Sequence, residues 1–280
     1  MKILKDAPLS IMTKIFGYGG RYFLSATALL GFPLTSPEIL LPEDELWSRA
    51  ADSLSRGEVI DLGMPKPQGE VLVSGRCFSH DGTPMEATTA AFSVGEIEKK
   101  LVVIGDRFWI DSTSSRHTSP IPFTSLPLTW ERSFGGPHYG PNPVGRGIGA
   151  QKDKDGVTVY PLPNLEDPRH PVAHPADRPA PAGFGPLGIS WPDRLRNLGA
   201  FDDAWRQQAW PGFPADIDFS YFNVAPKDQQ QKGFFRGDET FYTLHMTEKE
   251  PRRQGCLPGL RVRLFAMRKG TGDRRWLESK

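Results

Sequence analysis

At 280 residues the chain is long enough to bury a core without disulfide or metal staples. A hydrophobic fraction of 38%, a charged fraction of 24% and a formal net charge of +1 exclude a disordered polyelectrolyte and leave no global field for nucleic acid or anionic lipid. Two cysteines, Cys77 and Cys256, exclude a disulfide scaffold and a four-sulfur metal site.

The weakly charged stretch from Tyr22 to Pro37 is too short to span a bilayer and is broken by Pro33, so it reads as a strand of a cytoplasmic protein. Ala26-Thr27-Ala28 imitates a signal-peptidase site, but the segment ahead of it is charged and makes a poor hydrophobic region. Residues 41–57 predict a helix. Pro42 suits a first turn, Glu43, Asp44 and Glu45 favour the positive end of the dipole, and Leu46, Ala50 and Leu54 recur every fourth position with Trp47 widening the stripe.

From Glu70 to Ile110 the period falls to two. Three runs, Val71–Phe78, Thr88–Val94 and Leu101–Ile110, are separated by His80-Asp81-Gly82-Thr83 and by Gly95-Glu96, which predicts an antiparallel meander with Val71, Val73, Phe92, Leu101 and Val103 inward. Cys77 falls on the inward side as a buried free thiol, preferred over a disulfide. Gly105-Asp106-Arg107 marks a bulge or an end of pairing, and Phe123–Glu131 adds a fourth, edge-tolerant strand containing Pro127.

More than half of the 27 prolines lie between Pro120 and Pro192, a composition that neither a helix nor a central strand tolerates. Trp130, Phe134, Tyr139, Phe184 and Trp191 punctuate that stretch, so it is expected to be a long ordered loop pinned down by aromatics. Short helices follow at Pro192–Leu198 and Asp202–Gln208, the second capped by Asp202, and then a last strand, Leu260–Met267. The fold class is mainly β (α+β): an antiparallel sheet or sandwich-like core with a long Pro/Gly-rich loop and a few short helices. One domain, 1–280, divides into N-terminal strands and helix (1–60), meander (61–131), loop (132–192) and short helices with the last strand (193–280).

Chemical motifs are weak. Gly183-Phe184-Gly185-Pro186-Leu187-Gly188 spells a dinucleotide fingerprint, but no strand precedes it and a proline sits inside the turn. Gly145-Arg146-Gly147-Ile148-Gly149 lacks the lysine and hydroxyl of a P-loop. His170 and His174 have zinc spacing only on a helix, which Pro171 and Pro175 forbid; with His117 and His138 they read as loop histidines, and neither metal nor other cofactor is expected. Paired acids at Asp202-Asp203 and at Asp216 with Asp218 fit a hydrolase acting on carbohydrate or peptidoglycan, or a hard cation, or more simply turns and caps. One constellation stands out: Gly105-Asp106-Arg107, then Trp130-Glu131-Arg132-Ser133-Phe134-Gly135-Gly136, then Tyr139, Asn142-Pro143 and Gly145, with Trp191 beyond. Arginine beside aromatics and paired glycines suits a partner-binding surface; equally, Arg107 and Arg132 could pair internally with Asp106 and Glu131 to lock the loop. The candidate partner-binding residues are Arg107, Trp130, Arg132, Phe134, Gly135, Gly136, Tyr139, Asn142 and Trp191; no catalytic residue is assigned.

With these pieces placed, the chain resembles domain-of-unknown-function family 2169 over nearly its whole length. The matching segments are Asp61–Pro67 with Gly69–Gly75, Gly105-Asp106-Arg107, Glu131–Gly136 with Asn142-Pro143 and Gly145, Leu162-Pro163-Asn164, Pro181–Pro186, Asp202–Trp205, Phe222–Pro226, Asp228-Gln229-Gln230 and Gly237-Asp238-Glu239. The resemblance implies a non-enzymatic adaptor or chaperone that binds a type VI secretion effector and helps load it onto the spike proteins VgrG and PAAR, without nucleic acid or membrane as partner. It also implies that members continue past Lys280, so Leu260–Met267 is expected to show an unpaired edge. A binding module predicts exposed apolar or aromatic surface; the alternative hydrolase predicts convergent acids in a concave site.

Overall fold

The structure, a computed structural model, describes residues 9–48, 63–111, 113, 115–152, 155–260, 262, 264–267 and 274–277. In chain order the elements are strands β1 (Ser10–Tyr18) and β2 (Arg21–Leu29), helix α1 (residues 43–48), β3 (Gln68–Glu70), β4 (Arg76–Phe78), β5 (Ala87–Val94), β6 (Ile97–Ile104), β7 (Phe108–Trp109) and β8 (Ser125–Pro127). Through the proline-rich stretch run β9 (Phe134–Gly135), β10 (Arg146–Gly147), β11 (Gln151–Lys152), β12 (Thr158–Pro161) and β13 (Leu165–Glu166). Helices α2 (Pro192–Leu195) and α3 (Asp203–Gln208) follow, then β14 (Gln230–Lys232), β15 (Thr240–Leu244), β16 (Arg252–Cys256), β17 (Leu264–Met267) and β18 (Arg274–Leu277).

The fold is mainly β, with antiparallel sheets and short helices. Its largest sheet has five strands in the order β13-β6-β5-β15-β16, antiparallel throughout. The β5–β6 hairpin at its centre follows from two alternating runs joined at Gly95, which sits at φ 58°. Phe92, Leu101 and Val103 turn inward as expected, and Val71 and Val73 pack against them half-buried. Cys77, Leu126 and Leu128 from the β4–β8 ribbon and Phe184 from the proline-rich segment complete this core. Phe184 meets Phe92 edge to face, ring centroids 5.1 Å apart; burying each such ring is worth about 1.5–3 kcal/mol. Burial pushes the free Cys77 thiol up to about 12, and Cys256 is free and exposed.

The three-strand meander is not what forms. Val71–Phe78 does not pair with β5; β15 does. The reason lies in competing acceptors, because Val71 N–H donates to the Gln229 carbonyl and Val73 N–H to that of Phe184, and only residues 76–78 reach a ladder, with β8. Buried Gln229 reinforces this by donating its side-chain amide to the carbonyls of Val71 and Phe184, at 2.8 and 2.9 Å. The predicted helix is present at 43–48, with Leu46 buried and Trp47 exposed, while 49–57, like Asp61 and Leu62, lies outside the described residues. The last strand pairs on one side, β17 with β18 in a two-stranded sheet, and its other edge has no strand partner among the described residues.

At the other end β1 and β2 form a two-stranded sheet of their own. Gly19 and Gly20 both take positive φ, 58° and 71°, the geometry that a two-residue hairpin turn requires. Phe16 and Tyr18 from this hairpin pack on a second apolar cluster containing Phe213, Phe219, Ile217, Phe222 and Met64.

Candidate functional site

The predicted partner-binding constellation is brought together, but as an internal lock. Strand β6 stops where Gly105 passes so close to Ile121 that a Cβ would lie 1.9 Å from its carbonyl oxygen, so glycine alone fits. The next residue, Asp106, offers one carboxylate oxygen to three donors from distant segments: Arg132 Nη1 at 2.8 Å, Arg146 Nη1 at 3.0 Å and Asn164 Nδ2 at 3.0 Å. Buried Arg107 turns away to pair with buried Glu166, whose other oxygen accepts from Val172 N–H. The expected neighbours therefore do not pair: Arg107 takes Glu166 in place of Asp106, and Arg132 takes Asp106 in place of Glu131. Among the described residues, Glu131 bonds to Arg146 through its carbonyl and its carboxylate pairs with neither Arg107 nor Arg132.

The aromatics and glycines complete the lock. Trp130 donates its indole N–H to the carbonyls of Gly185 and Pro186 and meets Trp191 edge to face at 5.1 Å. Gly183 crosses the Trp130 ring so closely that a Cβ would stand 2.8 Å from it, and a Cβ on Gly188 would stand 2.4 Å from Trp191, so packing accounts for two of the three glycines of the false dinucleotide fingerprint without any phosphate. Asn142 is buried and donates to the carbonyls of Trp130 and Phe134 at 2.9 and 3.1 Å, while Gly135 and Gly145 run against it with no room for side chains. Phe134 packs on Tyr139. Thus Arg107, Phe134, Gly135, Gly136, Asn142 and Trp191 are buried with internal contacts, and only Arg132, Trp130 and Tyr139 are half-exposed. Among the described residues no guanidinium of this group lies over a ring; arginine–aromatic contacts form elsewhere, Arg194 over Tyr221 at 4.6 Å and Arg252 over Tyr242 at 5.6 Å.

The other motifs resolve locally. His170 and His174 are exposed; His174 accepts from Ala176 N–H and His170 stands 3.6 Å from Asp167. Among the described residues no three His, Cys, Asp or Glu side chains converge as a metal site. Asp202 caps α3 through Trp205 N–H, Asp216 accepts from Ala200 N–H, and Asp218 accepts from Ser220 N–H, which holds its carboxyl below the usual range.

What sequence reasoning missed is an open aromatic groove on the far side of the hairpin. Its walls are Lys14–Gly17 of β1, Phe201, Trp205 of α3, and 210–213, enclosing about 350 Å³. Trp205 is the keystone: its indole N–H donates to the Gly212 carbonyl at 2.8 Å, and its ring meets Phe201 at 4.7 Å and Trp210 at 5.6 Å. The wall is tied to the strand by Phe213 N–H donating to the Gly17 carbonyl at 2.8 Å. Three large apolar side chains remain open here: Ile15 is 70% exposed, Trp210 67% and Phe201 47%. Tyr22 and Leu24, cross-strand neighbours of Gly17 and Ile15, extend the apolar surface. The available signal was Tyr18-Gly19-Gly20-Arg21 between two apolar runs, a hairpin cue whose outward face carries Ile15, Tyr22 and Leu24.

Residues 20–280 match the model of a bacterial family described as "Uncharacterized protein conserved in bacteria (DUF2169)". No curated protein and no solved structure matches the chain. No helix among the described residues is long and apolar enough to cross a membrane.

Proposed function

From a chain that belongs to the DUF2169 family, we propose a non-enzymatic adaptor or chaperone that binds a secreted effector in the cytoplasm and helps load it onto a VgrG/PAAR spike. The sequence resemblance supplies the partner class. The observation that carries the binding role is the open groove between the hairpin and α3, where aromatic side chains pack on Trp205 yet are left exposed. Exposed aromatics on a fixed frame are the side chains that dominate protein interfaces. The Asp106-centred lock serves this role indirectly, by holding the proline-rich segment in place. The hydrolase reading has no observation in its favour, since Asp202, Asp216 and Asp218 each hold a local backbone amide.

The test is affinity capture from the bacterial host with the tagged chain, beside Trp210→Ala. Enrichment of an effector or a PAAR or VgrG protein, reduced in the variant, is the expected result. Absence of any such protein from the capture, or equal capture by a folded Trp210→Ala variant, overturns the proposal.

A further inference from the structure

The groove differs from a plain apolar cleft in that one wall is a strand edge with unused backbone groups. In the β1–β2 register Tyr18 and Arg21 flank the two-residue turn, so they form the narrow hydrogen-bonded pair, and alternate residues back along β1 point their N–H and C=O away from β2. Those residues are Gly17, Ile15, Thr13 and Ile11. The Gly17 carbonyl confirms the direction, because it accepts from Phe213 outside the hairpin. From Ile15 backwards no segment among the described residues continues this pairing, and β1 has β2 as its only strand partner there. Residues 211–213, a turn and bend, thus make one backbone bond to this edge, and the groove opens beside the edge groups that follow it.

Charge narrows the occupant further. Residues 10–29 contain Lys14 and Arg21 and no acidic residue, and Lys14, which forms no ion pair among the described residues, lines the groove. A lipid chain or a small apolar ligand would leave the strand-edge amides and carbonyls unused, whereas a peptide backbone satisfies them.

We propose that β1 captures an extended, acidic segment of a partner protein by strand addition: the segment's backbone bonds to Ile15 and Thr13, alternate apolar side chains enter the groove against Trp210 and Phe201, and an acidic side chain meets Lys14. This rests on the adaptor reading above and specifies how that surface would hold its cargo.

The full chain is titrated by fluorescence anisotropy with three labelled nine-residue peptides: alternating valine and glutamate, alternating valine and lysine, and the valine–glutamate peptide with alternate amides N-methylated. The first binds, and the other two bind at least tenfold more weakly. Ile15→Pro, which deletes an outward N–H and leaves the β2-facing bonds in place, weakens the first peptide at least tenfold with circular dichroism unchanged. Lys14→Glu reverses the preference between the glutamate and lysine peptides. Equal binding of the N-methylated peptide overturns strand addition even if Ile15→Pro fails to fold. Equal binding of the lysine peptide overturns the acidic partner, and no binding of any peptide at millimolar concentration overturns the whole proposal. Sedimentation is run alongside: a dimer that peptide dissociates and Ile15→Pro abolishes gives the edge to a second copy of this chain and likewise overturns it. The same variants enter the capture assay. Effector captured by Ile15→Pro but not by Trp210→Ala sinks strand addition and leaves the adaptor standing; peptide binding by a chain that captures no spike or effector protein does the reverse.

Discussion

The proline-rich segment and the hairpin groove are both rich in aromatics and glycine, yet they use them in opposite ways. In the segment every named ring is turned against another part of the chain: Trp130 on Trp191 and the 183–186 backbone, Phe134 on Tyr139, Phe184 on Phe92. Around the groove Trp205 holds Phe201 and Trp210 in place but covers neither. The difference follows from backbone entropy. Ordering a segment without continuous ladders costs about 1–2 kcal/mol per residue, so its aromatics must be buried to offset that cost. The hairpin and α3 are ordered by their own hydrogen bonds and by the cluster around Phe16 and Phe213, which leaves neighbouring side chains free for a partner.

The strongest way to break this comparison is to remove a buried anchor of the segment. Phe184→Ala should lower stability by about 3–5 kcal/mol, because the ring is fully buried in the main core against Phe92 and its removal leaves a cavity there. Denaturant melts measure it; a loss below about 1 kcal/mol would mean the segment is held by something else. Asn142→Ala comes next. It leaves the Phe134 carbonyl without its side-chain donor, takes one of two donors from the Trp130 carbonyl, which keeps Ser133 N–H, and should cost about 1–3 kcal/mol by the same assay.

The groove should behave in the contrary manner. Trp210→Ala removes a mostly exposed ring, so melting should shift by no more than about 0.5 kcal/mol, while effector capture weakens by about 1–3 kcal/mol. If instead stability and capture fall together, the groove is another piece of scaffold and the two regions do not differ.

These regions also differ in how far the sequence revealed them. The β5–β6 hairpin was legible because two alternating runs flank Gly95-Glu96, and α3 because Asp202 precedes Ala204 and Trp205 at capping distance. Strand β16, Arg252–Cys256, carries no apolar alternation to detect, and Val71–Phe78 carries a strand pattern whose amides are claimed by Gln229 and Phe184. For the lock the residues were identifiable but their roles were not. Arg107 and Arg132 have acids beside them in sequence, whereas loop closure delivers Glu166 and Asp106, and only the fold specifies which of these a guanidinium can reach. The groove needs Gly17 beside Phe213, a contact that no local pattern announces.

The smallest expected effect tests the lock through two adjacent acids with opposite surroundings. Burial raises the Glu166 carboxyl above its usual range despite the opposing charge of Arg107. The folded chain therefore holds that proton more tightly than the unfolded chain, and the Glu166 contribution to stability falls as pH climbs from the unfolded value, near 4.5, through the folded one. Next to it, Asp167 is held down to about 2, first by the hydrogen bond from the Arg169 side chain and then by its backbone amide and charge, partly opposed by desolvation. Its contribution is present above the unfolded value, near 3.8, and is lost as pH falls toward 2. At so accessible a position solvent screening keeps it under about 1 kcal/mol. Melts of Glu166→Gln and Asp167→Asn beside the wild type from pH 3 to 7 separate the two. The Gln variant should gain on the wild type as pH rises above about 4.5, whatever constant offset the lost Arg107 pair introduces, while the deficit of the Asn variant should shrink as pH falls below about 4. A Gln variant that instead loses ground with rising pH would mean that the Arg107 charge outweighs desolvation, and that the buried pair stabilises the lock through its charge rather than through its hydrogen bonds to Arg107 and Val172.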